Sequence, residues 1–361
     1  MEDKLLSNIM DFIRDFSIDK DENYLSGNFS LLRSQPSRDL YGMIDVIYIL
    51  SIIDELQNLT NKESRSIWAN RILQCQDQEG WFTKNNYRGH VKEHATAYAV
   101  GGLKLLEITD NENYLESIAP INGIRTYFNH NNFIHLMKYQ GMKLSLKNFK
   151  KYLGWNYIWN ASHISGGIAA IIGQTQELMG NWWDSGINAQ EWLDNYCEFL
   201  TNYINNDTGL WQRAAWNVLI RKPTTIDLGG AAHFYWIYEK HKCSYPNPEN
   251  LIDSILYLQK ESGLYKDHPL CIDFDANFCL LRSFNQLNDE LKKQYKGELR
   301  KSINNNVNAI ENYLFNIPPS RWYDNTHSLP GSLAAIVESY EFIDSSKYKK
   351  WNNPFDKVWW L

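Results

Sequence analysis

Acids and imidazoles recur in this sequence at one kind of place, where a polar loop gives way to a run of small apolar residues. Asp39, Tyr41 and Asp45 stand at the first such junction, and His90, Glu93 and His94 at the second. Asn160 and His163 mark the third, Asp227 and His233 the fourth, Asp273 and Asp275 the fifth, and Asp324 and His327 the sixth. Five of these six starts carry a carboxylate and four carry a histidine. Those are the side chains that give and take protons near neutral pH. Trp81, Trp155, Trp159, Trp211, Trp216 and Trp322 lie in the turns and loops just before them. Flat indoles present large apolar faces with a polar edge. Acids, imidazoles and indoles converging on one cavity are what a sugar-processing cleft needs.

Each of these residues also has a plainer reading. An Asp at a helix start is often only an N-cap worth about 1 kcal/mol, and Asp227 and Asp273 fit that role. Asp275 sits one step further in, beside Asp273, and two neighbouring acids push one pKa upward. Glu93 adjoins His94, an arrangement suited to proton transfer, although an exposed Glu at a capped start would look the same. His163 opens a glycine-bearing helix, where a satisfied core histidine is the alternative. His233 lies deeper and reads as structural. The expected catalytic set is therefore Asp275, Glu93, Asp273, His94 and His163. The expected substrate-binding set is Asp45, Tyr41, Asp227, Trp81, Trp211, Trp216 and His327. The five Cys are dispersed, no CxxC pair occurs, and no metal-ligand spacing or cofactor motif is read, so neither metal nor cofactor is expected.

These residues need elements to position them. Three segments share a pattern: residues 74–107, 205–240 and 258–284. Each leaves a helix, turns through Gly and an aromatic, crosses a polar loop and enters a helix rich in Ala, Gly and Leu. Gly80, Gly209 and Gly263 suit left-handed helix stops. Six small-residue helices are expected: Tyr41–Gln57, His94–Glu107, His163–Leu178, Asp227–Lys240, Asp273–Leu287 and Ser328–Ile343. Amphipathic helices separate them: Lys62–Gln74, Gly123 to about Lys138, Ala189–Ile204, Pro248–Gln259 and Glu298–Phe315, with Glu2–Phe16 as the sixth. Helices that are apolar all round must be buried, and their small residues permit close approach. No stretch alternates with period two for long, so sheet should be minor. The expectation is an all-α double ring of six inner and six outer helices, a single domain over residues 1–361. The Val358–Leu361 stretch reads as a hydrophobic latch onto the ring. An open solenoid is the competing architecture, but it would show a more regular repeat.

The Gln–aromatic pattern of Gln76–Phe82 and of residues 258–284 resembles repeats of the (α/α)6 toroid. The resemblance extends to architecture over nearly the whole chain. It implies one of two groups: the six-hairpin carbohydrate-active enzymes, or the terpenoid cyclase and prenyltransferase toroids. The first implies a glycoside hydrolase, polysaccharide lyase or sugar epimerase. A hydrolase would use a carboxyl pair such as Asp275 and Glu93, whereas His94, His163 and Tyr98 could abstract a C5 proton from a uronic acid. The second rests on Gly263–Leu281, which resembles the region around the DxDD motif of class II cyclases. Asp273 and Asp275 match its first two acids, and Ala276 stands where the last Asp belongs. A third possibility is a non-catalytic toroid that binds a glycan or a protein. The many mouth acids and histidines favour the carbohydrate reading, because hydrocarbon cyclisation needs few of them.

Composition sets the outer bounds. The 361 residues are 43 % hydrophobic and 22 % charged, with a net charge of -6. That excludes general disorder, and the scattered Lys and Arg give no nucleic-acid footprint. The 14 Trp, 22 Tyr and 15 Phe supply aromatic surface for both a core and a cleft. No run of 18 apolar residues predicts a membrane span, and residues 1–16 lack a signal-peptide core. A cytoplasmic protein acting on a small-molecule or oligosaccharide substrate is expected, with its oligomeric state open.

Overall fold

The computed structural model describes residues 2–19, 25–83, 90–128, 157–179, 188–211, 222–343 and 347–361. The chain is mostly helical, with twelve α-helices among the described residues. They are α1 (Glu2–Phe16), α2 (Leu40–Ile52), α3 (Leu56–Leu59), α4 (Lys62–Leu73), α5 (Lys92–Asp110), α6 (Tyr157–Gln174), α7 (Ala189–Thr201), α8 (Thr225–Lys240), α9 (Pro248–Leu258), α10 (Cys271–Gln286), α11 (Asp289–Asn316) and α12 (Ser328–Ser339). The described strands form one small antiparallel pair, β1 (Ser30–Leu32) and β2 (Gln35–Arg38).

Two kinds of helix alternate. In α2 every residue but Ser51 is buried, and α8, α10 and α12 are nearly as enclosed. The packing order of the enclosed helices is cyclic. Helix α2 packs on α5, α5 on α6, α6 on α8, α8 on α10, α10 on α12, and α12 returns to α2. The amphipathic helices cover this set: α4 lies on α2 and α5, α7 on α6, α9 on α10, and α11 on α10 and α12. Glycines at the seams allow the approach. A Cβ on Gly167 would stand 2.8 Å from the Glu93 carbonyl oxygen, and one on Gly331 would stand 2.5 Å from the Cys271 Cα.

Several boundaries differ from expectation. Helix α2 stops at Ile52, and Asp54 adopts a positive φ of 59°. Helix α6 begins at Tyr157, six residues ahead of His163, and α11 begins at Asp289, nine ahead of Glu298. Where an amphipathic helix was expected from Gly123, the described residues Asn122–Phe128 form a 3-10 helix. Gly80, Gly209 and Gly263 do have positive φ (84°, 65° and 88°). They sit in the turns after α4, α7 and α9 rather than at the helix ends. Two of these turns share one device. Gln76 Nε2 donates to the Gly80 and Ala119 carbonyls, and Gln259 Nε2 donates to those of Gly263 and Ser302. In each case the Gln side-chain oxygen accepts in return, from Ala119 N or Ser302 Oγ. Each turn is thereby fixed to the segment that follows the next enclosed helix.

Residues 354–361 occupy the middle of this arrangement. Trp360 is fully buried. Its carbonyl accepts from Tyr48 Oη on α2, and its ring stacks on His233 of α8 at 4.8 Å and meets His94 of α5 at 5.4 Å. Gly166 on α6 abuts the same ring. Phe355 packs on Trp236, Phe274 and Phe278. The expected hydrophobic latch is an inserted segment that touches five of the six enclosed helices.

Candidate functional site

Helical spacing sets the site. Asp39 caps α2 by accepting from Tyr41 N, which places Tyr41, Asp45 and Tyr48 on one face at intervals of four and three residues. His94 and Tyr98 are related in the same way on α5, as are Trp159 and His163 on α6. His233 comes from α8, His327 is the residue before α12, and His90 stands just ahead of α5.

Five of the nine histidines of the chain meet here. Ring centroids lie 4.2 Å apart for His90 and His94, 4.5 Å for His94 and His163, and 5.0 Å for His90 and His163. His233 is 4.7 Å from His163, and His327 is 5.1 Å from His90. Tyr41 Oη and His94 Nδ1 share a 2.7 Å hydrogen bond, and Ser162 Oγ lies 3.2 Å from His233 Nδ1. Donor atoms of His90, His94 and His163 all fall within 4.8 Å of one another, so these three could hold a metal ion.

A carboxylate organises the edge of the cluster. Asp45 is fully buried. Its Oδ1 accepts from Tyr98 Oη at 2.7 Å and lies 2.9 Å from His327 Nδ1, while its Oδ2 accepts from Thr326 Oγ1 at 2.5 Å. The His327 side chain keeps 20 % exposure and His90 is half-buried, so these two members of the cluster border solvent.

Burial sets the charge states. It drives the His94 imidazole well below its usual range, with a further contribution from the four neighbouring histidines. Burial pushes His233 down to about 3. Tyr98 is held well above 10 by burial and then by Asp45. His94 and His233 therefore present neutral imidazoles at neutral pH.

Of the residues expected at a site, the structure brings together Tyr41, Asp45, His94, His163 and His327. The others have separate surroundings. Asp227 forms a capping box with Thr224, its Oδ2 accepting from Thr224 N and Oγ1. Asp273 accepts from Leu270 N, Tyr265 N and Asn306 Nδ2, and burial still pushes its carboxyl up to about 6. Asp275 lies one turn from both Cys271 and Cys279. Its Oδ1 has no hydrogen-bond partner, and burial, followed by Asp273, lifts it well above the usual carboxylate range. Glu93 is raised by burial too, and accepts from Tyr127 Oη at 3.4 Å. Asp275 and Glu93 thus answer to different neighbours.

The tryptophans divide in the same way. Trp81 is buried against Gly123 under the Lys92 ammonium. Trp211 is buried against Phe234 and Tyr235, with its indole N–H donated to the Leu200 carbonyl. Both rings are covered by protein. Trp216 lies outside the described residues. Trp159, by contrast, faces His163 and His233 at 4.7 and 5.6 Å.

His233 joins the cluster although its depth in the helix suggested a structural role, and His90 enters as a potential ligand. The His90–His94 spacing of four residues was the available signal for a ligand pair. Trp360 carried no such signal, because nothing local announces that its segment inserts. Away from the histidines, where α10 and α12 end, a cavity of about 440 Å³ is lined by Arg282, Glu338, Glu341, Trp351, Asn353 and Asp356, among others. No family model, curated protein or solved structure matches the chain. Among the described residues no helix is long and apolar enough to cross a membrane.

Proposed function

We propose that the cyclic helix order is an (α/α)6 toroid, and that its histidine-bearing end is the catalytic centre of a carbohydrate-active enzyme. The observation that carries this reading is the Asp45–His327 pair facing Tyr41, with ring centroids of Tyr41 and His327 5.0 Å apart. A buried carboxylate on Nδ1 fixes the imidazole tautomer and leaves Nε2 as the proton acceptor. Tyr41 supplies a hydroxyl on the other side, and Trp159 an aromatic face. Such a set suits proton abstraction from a sugar carbon next to a carboxylate, as in elimination or epimerisation. His327 takes the carbon-bound proton; Tyr41 gives its own to the leaving oxygen in elimination, or to the opposite face of the carbon in epimerisation. Hydrolysis by two opposed carboxylates has less support, since Asp275 and Glu93, the pair expected for it, have different neighbours and neither belongs to the histidine cluster.

The terpenoid-cyclase reading keeps one specific support. Asp275 is a buried acid whose pKa burial raises well above the usual carboxylate range, as an alkene-protonating group needs. A thermal-shift screen separates the readings, with neutral and acidic oligosaccharides in one set and prenyl diphosphates with magnesium in the other. Stabilisation by acidic sugars, with turnover reduced about 100-fold or more in His327→Ala, supports the first. Stabilisation by prenyl diphosphates alone rejects it in favour of the second. No shift with either set points to a binding toroid.

A further inference from the structure

We infer that His90, His94 and His163 form a binding site for one borderline divalent cation, with zinc as the best match. The inference goes beyond the carbohydrate reading and does not rest on it.

The donor set comes first. Three imidazoles lie with donor atoms within 4.8 Å of one another, two of the residues buried and His90 half-buried. Around a tetrahedral zinc with Zn–N of about 2.0–2.1 Å, the nitrogens stand about 3.3 Å apart. The closure required is at most about 1.5 Å, within the reach of side-chain rotation about sp³–sp² bonds, whose wells are broad. All three donors are nitrogen, which suits zinc, cobalt, nickel or copper and disfavours magnesium and calcium.

The surroundings agree with this set. The Tyr41 bond at His94 Nδ1 leaves Nε2 for the cation and fixes the ring, as outer contacts do at metal sites. Asp45, which would compete as an oxygen ligand, is already engaged by Tyr98, Thr326 and His327. Three protein nitrogens leave a fourth position open, the pattern of catalytic rather than structural zinc. Tyr41 and His327 flank His90, so the open position adjoins the groups assigned to proton transfer.

The test uses the full chain, stripped with chelator and dialysed against zinc chloride or magnesium chloride. Bound metal is then counted by elemental analysis. One zinc per chain and no retained magnesium is the expected result. Cobalt in place of zinc should give the intense visible absorption of a four-coordinate site. Because His94→Ala or His163→Ala could disturb the core, His90→Ala is the deciding variant. It should melt like the parent in the absence of metal and lose at least about 100-fold in zinc affinity, the upper end of what outer-shell changes cost. His233→Ala should retain zinc. Zinc uptake below one equivalent, or uptake unchanged in His90→Ala, overturns the site. None of these readouts involves turnover, so failure of the carbohydrate reading would leave them unaffected.

Discussion

A carboxyl group enclosed without a partner keeps its proton, and Asp275 is such a group. Burial outweighs every nearby influence, and the one charged neighbour named for it, Asp273, acts in the same direction. In the unfolded chain an Asp releases its proton near pH 4. Above that pH the folded state holds a proton that the unfolded state has lost, so stability must fall as pH rises toward the folded pKa. Asp275→Asn removes that slope. Urea denaturation from pH 4 to 8 should show the variant gaining on the parent as pH rises; parallel curves would refute the assignment. Asp45 is buried too, but its oxygens are saturated with partners. Asp45→Asn replaces one accepting oxygen by a donor among Tyr98, Thr326 and His327, and should cost about 3 kcal/mol of stability. Residue identity made Tyr41, Asp45, His94, His163 and His327 legible as site candidates, because each stands where a polar loop gives way to a run of small apolar residues, although His163 proves to lie six residues inside its helix. It gave Asp273 the cap and Asp275 the raised pKa, yet it placed both in the catalytic set, away from which the structure puts them. Which carboxylate caps and which stays without a partner depends on the face each presents, and two residues along a helix point in different directions.

At the scale of elements, the apolar stretches and small-residue runs located nearly all the helices, since a helix buried on all sides cannot hide its composition. Their ends were less legible. Helix α6 runs back to Tyr157 because Trp159 packs against Gly229 on α8, a tertiary contact with no local signature. The Gln-anchored turns offer a sharp test. Gly263 combines a φ of 88° with a Cβ position only 2.5 Å from the Asn305 carbonyl oxygen. Gly263→Ala should therefore lose about 3 kcal/mol or more. Gly297, on the exposed face of α11, has nothing within 4 Å of its Cβ position, and Gly297→Ala should gain about 0.5–1 kcal/mol. Chemical denaturation of the two variants side by side checks both. Equal effects would mean that close approach and positive φ do not set the cost at Gly263.

For the whole molecule, the decisive feature is the segment that fills the centre. Trp360 packs on His94, His233, Trp236 and Gly166, so Trp360→Ala should cost about 3–5 kcal/mol and leave a void beneath the histidines. A lowered denaturation midpoint that partly recovers with small aromatic ligands would confirm the void; an unchanged midpoint would show that the segment is dispensable. The same feature governs the order in which the molecule can form. Tyr48 and Trp360, which bond at the centre, are separated by 312 positions, and all six enclosed helices leave the ribosome before the segment that sits between them. Contacts of such long range make for slow folding. Until they form, the aromatic and imidazole faces that Trp360 and Phe355 cover stay exposed, and exposed apolar surface favours aggregation or chaperone engagement. Its vulnerable period extends until residues 354–360 have emerged and inserted.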